Sequence, residues 1–184
     1  MPTLTKQWTE KELLRLPKDD GKYELVNGEL ELMSPAGFEH GQICMRLGAC
    51  LTVHVENHKL GCVADGQTGY WMNSGNLRSP DVSFVSKARL AVLERLPTGF
   101  FKGAPDLAVE VFSPGDRTKQ LNEKIADYFA SGTRMVWVIY PKSRSARIYR
   151  EPGVKRLISD DEVLDGEDVV PGFSIKLSEL FATS

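Results

Sequence analysis

Cysteine is scarce in this chain of 184 residues: Cys44, Cys50 and Cys62 are all there are. None forms a CxxC pair, and an odd count suits no closed disulfide set. The expected state is three reduced, mostly buried thiols in a cytoplasmic protein. Histidine is equally sparse, and its three copies show no zinc-ligand spacing. No run approaches the ~18 apolar residues of a membrane span. The first residues are polar and charged, unlike a secretory leader. Charge of one sign is also missing. Lys+Arg is 23 and Asp+Glu is 25, for a net charge of −2. A strongly basic, sequence-independent nucleic-acid binder is thereby excluded, because such affinity comes from neutralising phosphates. A local basic patch is not.

What is present is an ordinary globular composition, 41% hydrophobic and 26% charged. The length fits one domain over 1–184, large enough to fold without a metal or disulfide staple. No repeat or Pro/Gly/Ser-rich linker divides it. Thr9-Glu10-Lys11-Glu12 reads as a capping box opening a short helix before Pro17. The runs 22–26 and 29–33 flank Asn27-Gly28, the favoured two-residue hairpin turn. Ile43, Leu47, Leu51 and Val55 repeat every four residues, predicting one apolar face of a helix over about 38–59. Strand-like runs follow at 62–65, 68–72 and 81–86, the first two readable as one bent ribbon. A short helix is expected at 87–96 and a loop through Gly99–Pro105.

Residues 106–112 and 134–140 are nearly continuous apolar runs, the pattern of strands buried on both faces. The segment 117–131 between them reads as a helix with Ile125, Tyr128 and Phe129 inward. Together they predict a βαβ crossover with parallel strands. A second hairpin at 145–159 turns through Pro152-Gly153, and an acidic stretch and a short helix close the chain. The resulting fold class is α/β: a mixed central sheet flanked by helices, with extra N-terminal and C-terminal hairpins.

Glu110 is the residue out of place. It lies within Leu107-Ala108-Val109-Glu110-Val111-Phe112. A carboxylate among such neighbours needs a cation, backbone donors or a metal. Asp81 begins another strand after Pro80. If the two strands are neighbours, the acids form a hard-oxygen pair suited to Mg²⁺ or Mn²⁺. Pro105-Asp106 repeats the Pro-Asp pair. However, Asp106 lies roughly 13 Å along the strand from Glu110, too far to share an ion. Lys124 is one turn from Tyr128 on the following helix. It is the candidate to orient a water or stabilise charge on a phosphoryl group. Lys119 reads more readily as solvated. Glu29 and Glu31, after the Asn-Gly turn, are lesser candidates.

The segments Asp81, Pro105 to Pro114, Glu123 to Tyr128, Gly132 and Val136-Trp137-Val138 occur in order. With Tyr23 to Leu30 and Met33-Ser34-Pro35 near His40, they resemble the Uma2 family, also called DUF820. That family belongs to the PD-(D/E)xK, restriction-endonuclease-like nuclease superfamily. The resemblance covers about residues 20–181. It implies an α-β-β-β-α-β core over about 38–140 and a metal-dependent endonuclease acting on DNA. Asp81 and Glu110 would be the metal-binding acids, with Mg²⁺ (or Mn²⁺) as cofactor. The superfamily's usual lysine, two residues after the second acid, is Phe112 here, and Lys124 is the matching residue on the helix. A further site residue from the first core helix is sought among Glu39, His40 and Gln42. His40 matches the family pattern. A non-catalytic nucleic-acid-binding domain on the same fold is the alternative.

Two charge runs remain. Residues 142–156 hold Lys142, Arg144, Arg147, Arg150, Lys155 and Arg156 against Glu151 alone. They are readable as a phosphate-contacting patch or as a solvated hairpin face. The run 160–168 is acidic and expected to be a solvated loop. Trp71, Phe100 and Phe101 are expected to be partly exposed, which suggests a homodimer.

Overall fold

A computed structural model describes residues 7–17, 21–113, 115 and 117–182. Helix α1 (Glu10–Leu13) opens with the expected capping box. Thr9 and Glu12 each bind the other's backbone N–H. Strands β1 (Lys22–Val26) and β2 (Glu29–Met33) pair antiparallel in the register that the Asn-Gly turn imposes. Asn27 and Gly28 both have positive φ (52° and 83°), as a tight primed turn requires.

Helix α2 (Phe38–Asn57) buries Ile43, Leu47, Leu51 and Val55, the four residues its periodicity marks. Leu47 and Leu51 keep no exposed surface. Truncating either to alanine should cost about 2–5 kcal/mol. Next come β3 (Gly61–Asp65), β4 (Tyr70–Trp71), β5 (Leu77–Arg78), β6 (Val82–Ser86) and helix α3 (Lys87–Leu90). The chain continues through β7 (Phe101–Lys102), β8 (Leu107–Val111), α4 (Thr118–Ala130) and β9 (Met135–Tyr140). It ends with β10 (Ser145–Glu151), β11 (Val154–Ser159), β12 (Val163–Asp165), β13 (Ser174–Lys176) and α5 (Leu177–Leu180).

The central sheet has six strands in the order β11-β10-β9-β8-β6-β3. Only β8 and β9 run parallel, joined through α4 as the apolar runs predict. Alternation along β8 divides the core. Leu107, Val109 and Val111 pack with α2, and Ala108 packs with Leu121, Ile125 and Tyr128 of α4. Glu110 therefore faces α4. The order α2-β3-β6-β8-α4-β9 is the α-β-β-β-α-β core.

Five expectations need correction. The thiols are not mostly buried: Cys44 and Cys50 are half-buried and Cys62 is exposed. Residues 62–65 and 68–72 are not one ribbon. β3 is an edge of the central sheet, whereas β4 lies in a second sheet of order β2-β1-β5-β4-β7. That sheet also takes residues 101–102 from the expected loop. The helix at 87–96 stops at Leu90. Val92, Leu93 and Leu96 beyond it are exposed, so no buried face holds the next turn. Finally, the acidic run is not a loop throughout, because β12 pairs with β13 and buries Leu164. The exit loop expected after Phe112 includes Pro114 and Asp116, which lie outside the described residues.

Candidate active site

Glu110 lies 8% exposed near the end of β8. Among the described residues, two partners for its carboxylate come from α4, one turn apart. Lys124 Nζ donates to Oε2 at 3.0 Å, and the Tyr128 hydroxyl donates to Oε1 at 2.6 Å. Burial pushes the Glu110 carboxyl up to about 7, against the pull of Lys124. For Lys124 burial acts the other way. The acids around it, Glu110 first, outweigh that and hold the ammonium above its usual range. Burial and the neighbouring Glu110 raise Tyr128 well above the ordinary phenol value, so it stays a donor.

Asp81 stands one residue before β6. Val82 pairs with Val109 across to β8, so one further step along the antiparallel register sets Asp81 opposite Glu110. Asp81 Oδ2 accepts the Val111 N–H at 2.8 Å and meets His40 Nε2 at 3.1 Å. This carboxylate thus joins the central sheet to the first turn of α2. Burial would raise the Asp81 carboxyl, but the bond to His40 prevails and lowers it. The same bond, with a smaller contribution from Cys44, raises His40 to about 10. Cys44 Sγ lies 3.4 Å from the other ring nitrogen, Nδ1.

A third acid lies beside these two. Glu24 of β1 is 2% exposed. Its Oε1 is 2.9 Å from Lys124 Nζ and accepts the Ser79 N–H at 3.0 Å. Its Oε2 accepts from Arg78 at 3.3 Å. Burial alone would raise the Glu24 carboxyl, but Lys124 and the other cations lower it. Arg78 also binds Asp127 of α4 at 2.9 Å. Charges therefore alternate through Asp127, Arg78, Glu24, Lys124 and Glu110.

Of the residues singled out in the sequence, the structure brings together Asp81, Glu110, Lys124 and His40. Glu39 is exposed. Lys119 is solvated and lies 3.8 Å from Glu123. Glu29 and Glu31 are exposed on β2, so the hairpin's contribution is Glu24 instead. Sequence reasoning passes over Glu24 because Tyr23 and Leu25 make it look like the solvent-facing residue of a hairpin strand. Asp106 belongs to the far end of β8, where it accepts the Ser86 N–H at 2.8 Å and lies 3.6 Å from Arg89. Phe112 packs against Tyr140, ring centres 5.1 Å apart.

The basic hairpin is largely neutralised from within. Arg144 pairs with Asp160 at 2.9 Å, and Arg150 with Glu167 at 3.3 Å and Asp168 at 2.6 Å. Arg156 lies 3.6 Å from Glu167, and Arg147 covers the Tyr140 ring at 4.5 Å. Trp71, Phe100 and Phe101 are half-buried, and the first two pack together in the second sheet. Among the described residues no helix is long and apolar enough to cross a membrane.

The donors present fit a divalent cation. Asp81 and Glu110 are carboxylates on neighbouring segments of one sheet end, and an imidazole lies beside the first.

A search of the curated proteins finds no match. A crystal structure from Anabaena variabilis ATCC 29413, described as "a putative nuclease belonging to DUF820", superposes with a TM-score of 0.81. The two are 20% identical, and the match covers 95% of this chain and 97% of the other. That likeness establishes the restriction-endonuclease-like fold. The model of the Uma2 family, described as "Putative restriction endonuclease", matches residues 10–178. Nearly the whole of the described chain falls within that match, and the chain belongs to the Uma2 family.

Proposed function

We propose that this protein is a metal-dependent endonuclease that hydrolyses phosphodiester bonds in DNA, with Mg²⁺ or Mn²⁺ as its ion. The observation that carries this reading is the meeting of Asp81, Glu110 and Lys124 at one end of the central sheet. Asp81 and Glu110 would hold the ion. When bound, it would polarise the scissile phosphate and lower the pKa of a bound water.

The remaining work falls to the chain's own side chains. The Val111 N–H and His40 fix Asp81, so its carboxylate needs little reorganisation on binding a cation. Tyr128 fixes one oxygen of Glu110 from the helix side. Lys124 supplies a permanent positive charge beside the acids, where negative charge grows on the phosphoryl oxygens in the transition state. It does so from α4, which answers the absence of a lysine at Phe112. Glu24 keeps the ammonium aimed at Glu110.

The test is an assay of the purified protein on single- and double-stranded DNA with Mg²⁺ or Mn²⁺, beside Asp81→Asn and Glu110→Gln. Cleavage by the wild type that both substitutions abolish is the expected result. Equal cleavage by all three would identify a contaminant and overturn the reading. Salt-dependent binding without turnover would assign the chain to the non-catalytic alternative.

A further inference from the structure

One residue beside the acids, Cys44, has no part in the proposed chemistry. His40 and Cys44 are one turn apart on α2 and so share a face. Cys44 Sγ lies 3.4 Å from His40 Nδ1, and Asp81 Oδ2 lies 3.1 Å from His40 Nε2. One ligand atom from each of the three residues can be chosen so that all lie within 4.8 Å of one another. Around a tetrahedral ion with bonds of about 2.0–2.3 Å, neighbouring ligand atoms stand roughly 3.5 Å apart. To close on an ion the ligand atoms, up to 4.8 Å apart, must draw in by about 1 Å, and the His40 ring must turn, because Cys44 and Asp81 meet different ring nitrogens.

We propose that His40, Cys44 and Asp81 form a binding site for a borderline-soft transition-metal ion of the Zn²⁺, Co²⁺ or Fe²⁺ class. Its donor set is one nitrogen, one sulfur and one oxygen, leaving a fourth position for water. A thiolate and an imidazole favour such ions over Mg²⁺, which takes oxygen ligands. The ion displaces the protons that these side chains otherwise share, so binding releases protons to solvent. Cys44 is the residue that sets this site apart from the carboxylate pair Asp81 and Glu110. The proposal stands on the geometry of the trio and holds whether or not the chain cleaves DNA.

The experiment uses the full chain with Cys50→Ser and Cys62→Ser, so that Cys44 is the sole thiol. Co²⁺ is titrated into metal-free protein under a non-thiol reductant. The expected result is a thiolate-to-cobalt charge-transfer absorption that saturates at one equivalent and survives excess Mg²⁺. Adding Cys44→Ser should remove the band and weaken Co²⁺ binding by at least about tenfold, the loss that even outer partners of metal ligands produce. Glu110→Gln should keep the band while losing DNA cleavage, which separates this site from the nuclease reading. In the unsubstituted chain, Zn²⁺ should slow alkylation of Cys44 but not of exposed Cys62, read by mass spectrometry. Absence of the charge-transfer band, equal Co²⁺ affinity in Cys44→Ser, or displacement by Mg²⁺ at equal concentration would overturn the proposal. So would equal protection of Cys44 and Cys62.

Discussion

Glu24 and Glu110 share one ammonium group. Lys124 Nζ lies 2.9 Å from the first carboxylate and 3.0 Å from the second, with all three side chains nearly out of water. The two acids come from different sheets, and the helix lysine between them offsets part of a repulsion that would otherwise separate the layers.

Removing that lysine should therefore do two things. Lys124→Met leaves two buried carboxylates without their shared partner, and stability should fall by about 3–5 kcal/mol. Urea denaturation at neutral pH reads this directly. If the proposed chemistry holds, cleavage should also fall by about 10²–10³-fold at a temperature where the variant is folded. A variant as stable as the wild type would show that the ammonium is not the tie between the sheets.

The carboxyl of Glu110 gives a pH signature in metal-free protein. Its folded pKa, about 7, lies above the ordinary value of 4.5. The folded state then holds more protons than the unfolded one between these values, so this group's contribution to stability falls as pH rises from 4.5 to 7. The full difference is on the order of 3 kcal/mol. Glu110→Gln should remove this slope, so that the variant gains on the wild type across the window. Parallel stability curves for the two proteins would contradict it.

His40 gives a slope of the same sign in a higher window, here because its charged form is the one that is stabilised. Its folded pKa, about 10, lies above the ordinary 6.5 because Asp81 accepts a hydrogen bond from the charged ring. The stabilisation is complete below 6.5 and is lost as pH rises toward 10. The His40 ring resonance in an NMR titration should stay in its protonated position through neutral pH. A midpoint near 6.5 would mean that the pair with Asp81 does not form in solution.

The acidic segment should limit nucleic-acid affinity. Glu167→Gln with Asp168→Asn releases Arg150, Arg134 and Arg156 from their partners. These pairs are exposed, so losing them should cost little stability. DNA affinity should rise, with a steeper dependence on salt, by fluorescence anisotropy. Unchanged affinity would place the DNA path away from this hairpin.

The elements that place the two acids were legible because each carries its own signal. The apolar run makes Glu110 conspicuous, the four-residue repeat marks α2, and the helix after β8 sets Lys124 and Tyr128 on one face. Beyond its N-terminal hairpin, the second sheet was not legible. β4, β5 and β7 are two residues long, too short for alternation to register, and Gly and Pro around Phe101 read as loop. Arg78 was lost with those short strands, and Glu24 was passed over on a strand that was seen, since nothing local distinguishes either from a surface charge. The basic and acidic runs were both visible, but pairing across the fold is a property of tertiary structure, and only the structure matches Arg150 to Glu167.

The alternation of charge from Asp127 to Glu110 has a consequence for any attempt to shorten the protein. Two of its five links, Arg78 and Glu24, belong to the second sheet, which an engineer seeking a minimal nuclease core would trim first. A fragment starting at α2 would keep Arg78, Asp81, Glu110 and Lys124 yet lose Glu24, the counter-charge that orients the lysine. The N-terminal hairpin is a keystone of the site rather than an ornament on it.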